Sequence, residues 1–333
     1  MKLLKTLLFT MYFLVFVVSC FAAETGHPVK VASLSFMSGT QSVGQIASEI
    51  SRLGEKGVDL VCLPEAWTGT KPEMMQGETI KKMSSLAGQF NCYIVCPLII
   101  ERDGNVLNTS ILFDREGQIA CVYDKAFPYW SEFEGEYPVK PSQTDVVVYD
   151  TDFGRIGFSI CFDAKFPEVW QRLRDKGAEL VVWSSAYSGG TELQAFSLLH
   201  HYYIVTSTWR KDCLVWDITG EKMLDEKSAN DIHLSVFELD MDRQIYHYNF
   251  NSNKRTKLLK EQDDKVLLEV DLPREEWFVL KARVPGVSAR ELAKQYGLET
   301  LRDYLDRSRT GLDRIRGYGF SEKYGGYPGK SVK

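Results

Sequence analysis

The chain has 333 residues, 44% of them hydrophobic and 26% charged, with a formal net charge of −5. That length suffices for one large cored domain or two smaller ones. The acidic balance argues against nucleic acid or an anionic membrane surface as the main partner.

The chain opens on "MKLLKTLLFTMYFLVFVVSCFAAE". Lys2 and Lys5 precede an uncharged apolar run over 6–18, and small residues follow at Ser19, Ala22 and Ala23. The run is short of the roughly 20 apolar residues that span a bilayer. This layout predicts a secretory signal peptide over 1–23, and with it export to the periplasm or beyond. "VVSC" also reads weakly as a lipoprotein box with Cys20 as lipid acceptor, but Val17 stands where such boxes prefer Leu, so plain cleavage is favoured. No later segment has the length and apolarity of a membrane span.

From residue 28 the pattern alternates. "VKVASLSF" reads as a strand, and Val43, Ile46, Ile50 and Leu53 then recur on one helical face up to Gly57. "VDLVCLPE" is a second apolar strand, Ile80, Met83, Ala87 and Phe90 mark a second helix, and "CYIVCPLIIE" a third strand. Hairpins follow: "NTSILFD" to "QIACVYDK", turning at Arg115-Glu116-Gly117, and "DVVVYD" to "GRIGFSIC", turning at Asp152-Phe153-Gly154. "PEVWQRLRDKG" is a helix with Pro167 in its first turn and Gly177 at its end. "AELVVWSSA" is a strand, "LQAFSLLHHYY" a helix and "IVTSTW" a strand, before the hairpin "CLVWDITGEKML" and the strand "HLSVFELDMD". Hairpins mixed with strand–helix–strand units predict an α/β fold with a mixed sheet, or two sheets face to face. One domain over 28–250 results. Over 251–333 the character changes: "NFNSNKRTKLLKEQDDK" reads as an exposed charged loop. A segment opened by a Ser288/Glu291 capping box then predicts one or two helices, packed on the domain or on a partner subunit.

Of the seven cysteines, six lie beyond the leader. Cys92 and Cys96 share one strand, about 13 Å apart, which is too far for a disulfide. Cys62, Cys121 and Cys213 sit in apolar runs, as core residues would. Adjacent His200 and His201 point about 100° apart on a helix and do not converge on a metal.

Three polar residues stand where strands run out, the usual place for chemistry in an α/β sheet. Glu65 ends "DLVCLPE", Lys125 ends "QIACVYDK" and Cys161 ends "RIGFSIC". Singly, each is an ordinary edge or core residue; together they are complementary. A thiol needs a base or a cation to become a nucleophile, a screened carboxylate supplies the base, and an ammonium steadies an oxyanion.

On "LPEAW", "YDKAFP", "GFSICFDAKFPEVW" and "GAELVVWSSA", residues 29 to about 245 resemble the carbon–nitrogen hydrolases of the nitrilase superfamily, nearest the aliphatic-amidase branch. The resemblance implies a four-layer α-β-β-α sandwich with two central mixed sheets, association into a homodimer or larger assembly, and no metal or organic cofactor. It implies a Glu65-Lys125-Cys161 triad acting through a thioester, with the Phe162 backbone N–H sharing the oxyanion. The "EGEYP" segment resembles the branch's second catalytic carboxylate, which points to Glu134, with Glu132 and Glu136 as rivals. Asp163, two residues after the cysteine, matches amidases and carbamoylases, whereas nitrilases carry Glu there. Trp130, Asp163 and Tyr187 are candidate pocket residues, and Trp183 reads as core. The expected function is amide hydrolysis on a small-molecule substrate. N-carbamoyl or nitrile hydrolysis on the same triad is the nearer alternative, and a catalytically silent binding protein on the same fold the more distant one.

Overall fold

The computed structural model describes residues 25–317. The leader and Cys20 lie outside the described residues.

In chain order the elements are β1 (Pro28–Ser35), α1 (Val43–Gly54), β2 (Leu60–Cys62), β3 (Glu73–Met74), α2 (Glu78–Phe90), β4 (Tyr93–Arg102), β5 (Asn105–Phe113), β6 (Ile119–Asp124), α3 (Trp130–Phe133), β7 (Val148–Thr151) and β8 (Gly154–Ile160). A 3₁₀ turn over Cys161–Lys165 leads to α4 (Pro167–Asp175), β9 (Leu180–Ser185), α5 (Thr191–His200), β10 (Tyr203–Thr208), β11 (Asp212–Trp216), β12 (Lys222–Lys227) and β13 (His233–Asp240). The chain then adds β14 (Gln244–His247), α6 (Ser252–Glu261), β15 (Val266–Leu272), β16 (Trp277–Ala282), α7 (Ala289–Gln295) and α8 (Leu301–Arg316).

One sheet runs β13-β1-β2-β4-β5-β6, with β3 also on β4; the other runs β12-β11-β10-β9-β8-β7. In each, the middle strands are parallel and the outer ones antiparallel. The parallel strands are apolar on both faces because both faces are covered. Val31, Leu60 and Val95 of the first sheet meet Phe158, Val182 and Val205 of the second in one shared core. On its outer face the first sheet carries α1 and α2 through Ile46, Ile50, Ile80 and Met83. The second carries α4 and α5 through Trp170, Leu173 and Phe196. The four α-β-β-α layers are therefore present. A Ser42–Gln45 capping box starts α1 (3.2 and 2.9 Å), satisfying N–H groups that the first turn leaves open.

Polar bonds stitch the sheets together towards one end. Ser33 Oγ donates to the Thr206 carbonyl (2.7 Å) and Ser184 Oγ to the Leu63 carbonyl (2.8 Å), both fully buried. These contacts fix the strand ends of one sheet against those of the other, where the site forms.

The charged stretch after residue 250 is not a loop. It forms α6, because Leu258 buries completely and Arg255 pairs with Asp271 (3.1 Å) over the rings of Tyr248 and Phe278. The β15–β16 hairpin, which the periodicity did not single out, completes a three-stranded sheet with β14. One face of that sheet packs α6 and α7, and the other sends Ile245, Trp277 and Val279 into the core between the large sheets. Ser288 caps α7 through the Glu291 N–H (3.0 Å). His200 stacks on Phe196 and His201 bonds the Ile218 carbonyl, and burial pushes both imidazoles down to about 4, so they stand neutral in the core at neutral pH.

Candidate active site

Glu65, Lys125 and Cys161 leave three different strands and meet at the same end of the two sheets. Glu65 follows β2 and is 3% exposed; its carbonyl accepts from Trp209 Nε1 (2.5 Å), which closes the end of β10 over it. The next residue, Ala66, has φ +41°, in the left-handed region that L-residues avoid. Lys125 follows β6, its N–H donates to the Asn108 carbonyl on β5 (2.8 Å), and it is 1% exposed. Its hairpin turns on Gly117, which has φ +78° and where a Cβ would run into the Ser84 carbonyl oxygen, leaving no room for a side chain. Cys161 follows β8 with φ +46°, a sharp strained elbow between strand and 3₁₀ turn. Trp183 Nε1 donates to the Cys161 carbonyl (3.1 Å), and that bond helps hold the elbow.

The Lys125 ammonium is the hub. It donates to Glu65 Oε1 (2.7 Å) and to Glu132 Oε2 (2.5 Å). Asn108 Nδ2 bridges the same two carboxylates, 2.8 Å from Glu65 Oε1 and 2.8 Å from Glu132 Oε1. Tyr129 N–H adds a third donor to Glu132 (2.6 Å). Burial alone would lower the Lys125 pKa, but Glu65, Cys161, Glu132 and Asp163 together hold it well above the usual lysine value. Glu65 Oε2 and Asn108 Oδ1 are buried with no hydrogen-bond partner among the described residues.

Cys161 is 7% exposed. Burial, and after it the Glu65 carboxylate, push its thiol up to about 12, against the opposing pull of Lys125, the Ala186 N–H and Ser185. The resting sulfur is therefore a thiol rather than a thiolate. Glu65, Glu132, Cys161 and Asn108 line one cavity of about 380 Å³, walled by Ile99 and Trp209. The arrangement couples a neutral thiol, a carboxylate with one unpaired oxygen and a fixed cation at one enclosed point. It can deprotonate sulfur as sulfur attacks and hold negative charge on an oxygen beside Lys125.

Several expected roles move. Glu134, the expected second carboxylate, is exposed just after α3 and makes no contact with Lys125. Glu132 makes that contact instead, because the four-residue helix α3 turns it inward and Val139 N–H ties back to the Glu132 carbonyl (2.9 Å). Glu136 lines the cavity. Trp130 is 63% exposed and does not line the cavity; its neighbour Tyr129 does. Asp163 is not a pocket residue either. It is completely buried and accepts from Tyr123 Oη (2.7 Å), Phe127 N (2.9 Å) and Ile160 N (2.9 Å), which staples the cysteine elbow to the lysine loop. Burial pushes its carboxyl up to about 6 despite Lys125 and these donors. Tyr187 stands behind the site: its ring packs edge-on against Trp183, and Ala186 rather than Tyr187 lines the cavity. Phe162 is the second residue of the 3₁₀ turn that Cys161 opens, where the first N–H groups have no partner within the turn itself. Asn108 and Trp209 were not singled out. Asn108 stands beside Thr109 and Ser110 in a polar run within β5, and nothing in the sequence marks it out from them.

A model of the carbon-nitrogen hydrolase family matches residues 29–209, more than half of the chain and the whole of this constellation. The chain belongs to that family. This carbon-nitrogen hydrolase is 24% identical over 278 residues to a citrullinase of Francisella tularensis, a match covering 70% of this chain and 96% of the relative. It is 26% identical over 194 residues to an omega-amidase of Homo sapiens, covering 52% of this chain and 70% of the relative. Its fold is similar to that of an amidase from Nesterenkonia sp. AN1, solved with the acetamide moiety of fluoroacetamide added covalently at its active-site cysteine. That likeness has a TM-score of 0.57 at 16% identity and covers 71% of this chain and 97% of the amidase. As a carbon-nitrogen hydrolase it is an enzyme.

Proposed function

We propose that this enzyme is an amidase in which Cys161 attacks a carboxamide, Glu65 moves the protons, and Lys125 with the Phe162 N–H holds the oxyanion. The observation that carries the reading is the Lys125 clamp on Glu65 Oε1, which leaves Oε2 buried and unpaired in the cavity shared with the Cys161 thiol.

The steps balance as follows. Glu65 takes the S–H proton as the sulfur–carbon bond forms, and the carbonyl electron pair moves onto oxygen beside Lys125. A thiol held near 12 does not ionise beforehand, so transfer and attack are coupled. Collapse expels the amide nitrogen, which takes the proton from Glu65 and leaves as ammonia, and a thioester remains on Cys161. Water then attacks the thioester and gives a proton to Glu65. The second collapse releases the carboxylic acid, and the departing sulfur recovers the proton. The sum is amide and water to acid and ammonia. Glu132 and Asn108 act by positioning Lys125 and Glu65. Every step uses side chains and backbone of this chain.

The test is ammonia release from simple amides, carbamoyl compounds and nitriles, with Cys161→Ala as control and mass spectrometry for an acyl adduct on Cys161. Acid plus ammonia from amides supports the reading. Carbon dioxide with amine, or turnover of nitriles alone, moves it to the carbamoyl or nitrile alternative. No turnover and no adduct leaves a silent binding protein.

The apolar leader over 1–23 supports export, and exposed apolar residues on α5 (Leu198, Leu199) and α8 (Leu312, Ile315) support self-association. Both belong to this proposal; detection in culture fluid or periplasm and light scattering check them.

A further inference from the structure

The walls of the Cys161 cavity carry one sign of charge. Glu65, Glu132 and Glu136 line it, and none of its lining residues is a lysine or an arginine. Lys125, the cation behind the wall, is already taken up by Glu65 and Glu132, so the cluster of these three carries a net charge of −1. Glu136 forms no ion pair among the described residues, which adds a second uncompensated anion towards the mouth.

The hydrogen-bonding inventory points the same way. The two buried, unpartnered polar atoms on the wall, Glu65 Oε2 and Asn108 Oδ1, are both acceptors. The Asn108 orientation is fixed by chemistry, since only its NH₂ end can donate to the two carboxylates it touches. The aromatic residues on the wall are Tyr129, Tyr137 and Trp209, whose rings are of the kind that attracts cations. A carboxylate at the far end of a ligand would meet no lysine or arginine on the wall and would be desolvated beside Glu136, with Glu65 and Glu132 lining the same cavity. A donor-rich cation would find acceptors, opposite charge and π faces.

Building on the amidase reading, we infer that the substrate is a small amide whose far end carries a positive charge, an ammonium or guanidinium directed at Glu136 and its aromatic neighbours. A matching amide with a terminal carboxylate is disfavoured. The reaction at the carboxamide is the one already written; the charge sets which amides reach it.

The experiment compares kcat/KM for three amides of similar length: 4-aminobutyramide, butyramide and succinamate. A unit charge at several ångström in a partly screened cleft is worth roughly tenfold per step. The expected order is cation over neutral over anion, with about a hundredfold between the extremes. Raising salt from 20 mM to 500 mM should compress that range, because solvent-reached charges are screened. Glu136→Gln should lower the ratio of cation to neutral, read within the variant. Equal rates for all three, or preference for succinamate, overturn the inference and leave the amidase reading standing. Hydrolysis of none of the three, with no adduct on Cys161, overturns the amidase reading and the inference with it.

Discussion

The Lys125 ammonium lies 2.7 Å from Glu65 Oε1, and both side chains are out of solvent, at 0% and 4% exposure. A buried ion pair of this kind contributes little net stability while intact, because desolvation offsets the attraction, but breaking it strands a charge. Here removal of the lysine would strand two, since Glu132 shares it. Lys125→Met should therefore lose activity and also about 3–5 kcal/mol of stability, read from urea unfolding. A variant as stable as the wild type would show that the clamp is not closed in solution.

Glu65→Gln keeps the volume and removes the base. Turnover should fall by roughly 10²–10⁴ with KM little changed. The same substitution removes the carboxylate that helps hold the thiol high, and leaves Lys125 and the Ala186 N–H in place. The midpoint of thiolate absorbance should accordingly move down from about 12 in the variant, while activity falls. An unchanged midpoint would place Glu65 outside electrostatic reach of the sulfur.

Glu132 and Glu134 differ in position by two residues and in surroundings completely. Glu132→Gln weakens the hold on Lys125 and should cost on the order of 10²-fold in kcat. Glu134→Gln, at an exposed site, should stay within about twofold of wild type. Parallel steady-state assays decide; equal losses would mean that the lysine loop moves on substrate binding.

Asp163 carries a pH signature in stability. Its folded pKa, about 6, lies above the unbound value of 3.8 because burial penalises the carboxylate. A raised folded pKa gives stability that is complete below the unfolded value and is lost as pH rises through the folded one. Relative to Asp163→Asn, which does not titrate, the wild type should lose about 2 kcal/mol between pH 4 and pH 8. Urea midpoints of both proteins across that range measure it. A difference that stays flat with pH would mean the carboxyl is solvated.

The strand tips were legible because apolar runs mark strands, and a charged or sulfur-bearing residue ending a run marks a tip. Glu65, Lys125 and Cys161 each carry that local signal, as do the α1 and α2 faces. The signal is weaker where elements are short or charged. α6 was read as a loop because only Leu258 of its ten residues is fully buried, leaving almost no periodic pattern to detect. The choice among Glu132, Glu134 and Glu136 was equally out of reach, since the turn of a four-residue helix sets which carboxylate faces inward and no period exists over so short a stretch. Asp163 read as a pocket candidate from its place beside the nucleophile. Its three donors come from β6, β8 and the loop after Lys125, and only packing brings those together.

By itself, then, the amino-acid order determined the strand–helix alternation, the α/β class and the three residue types able to do nucleophilic chemistry, since each depends on neighbours within one turn or one strand. Which carboxylate shares the lysine, which oxygen stays free and what charge the cavity shows were decided only in three dimensions. Electrostatics acts through space over a few ångström, and the residues that set it lie up to 60 positions apart along the chain, as Glu65 and Lys125 do.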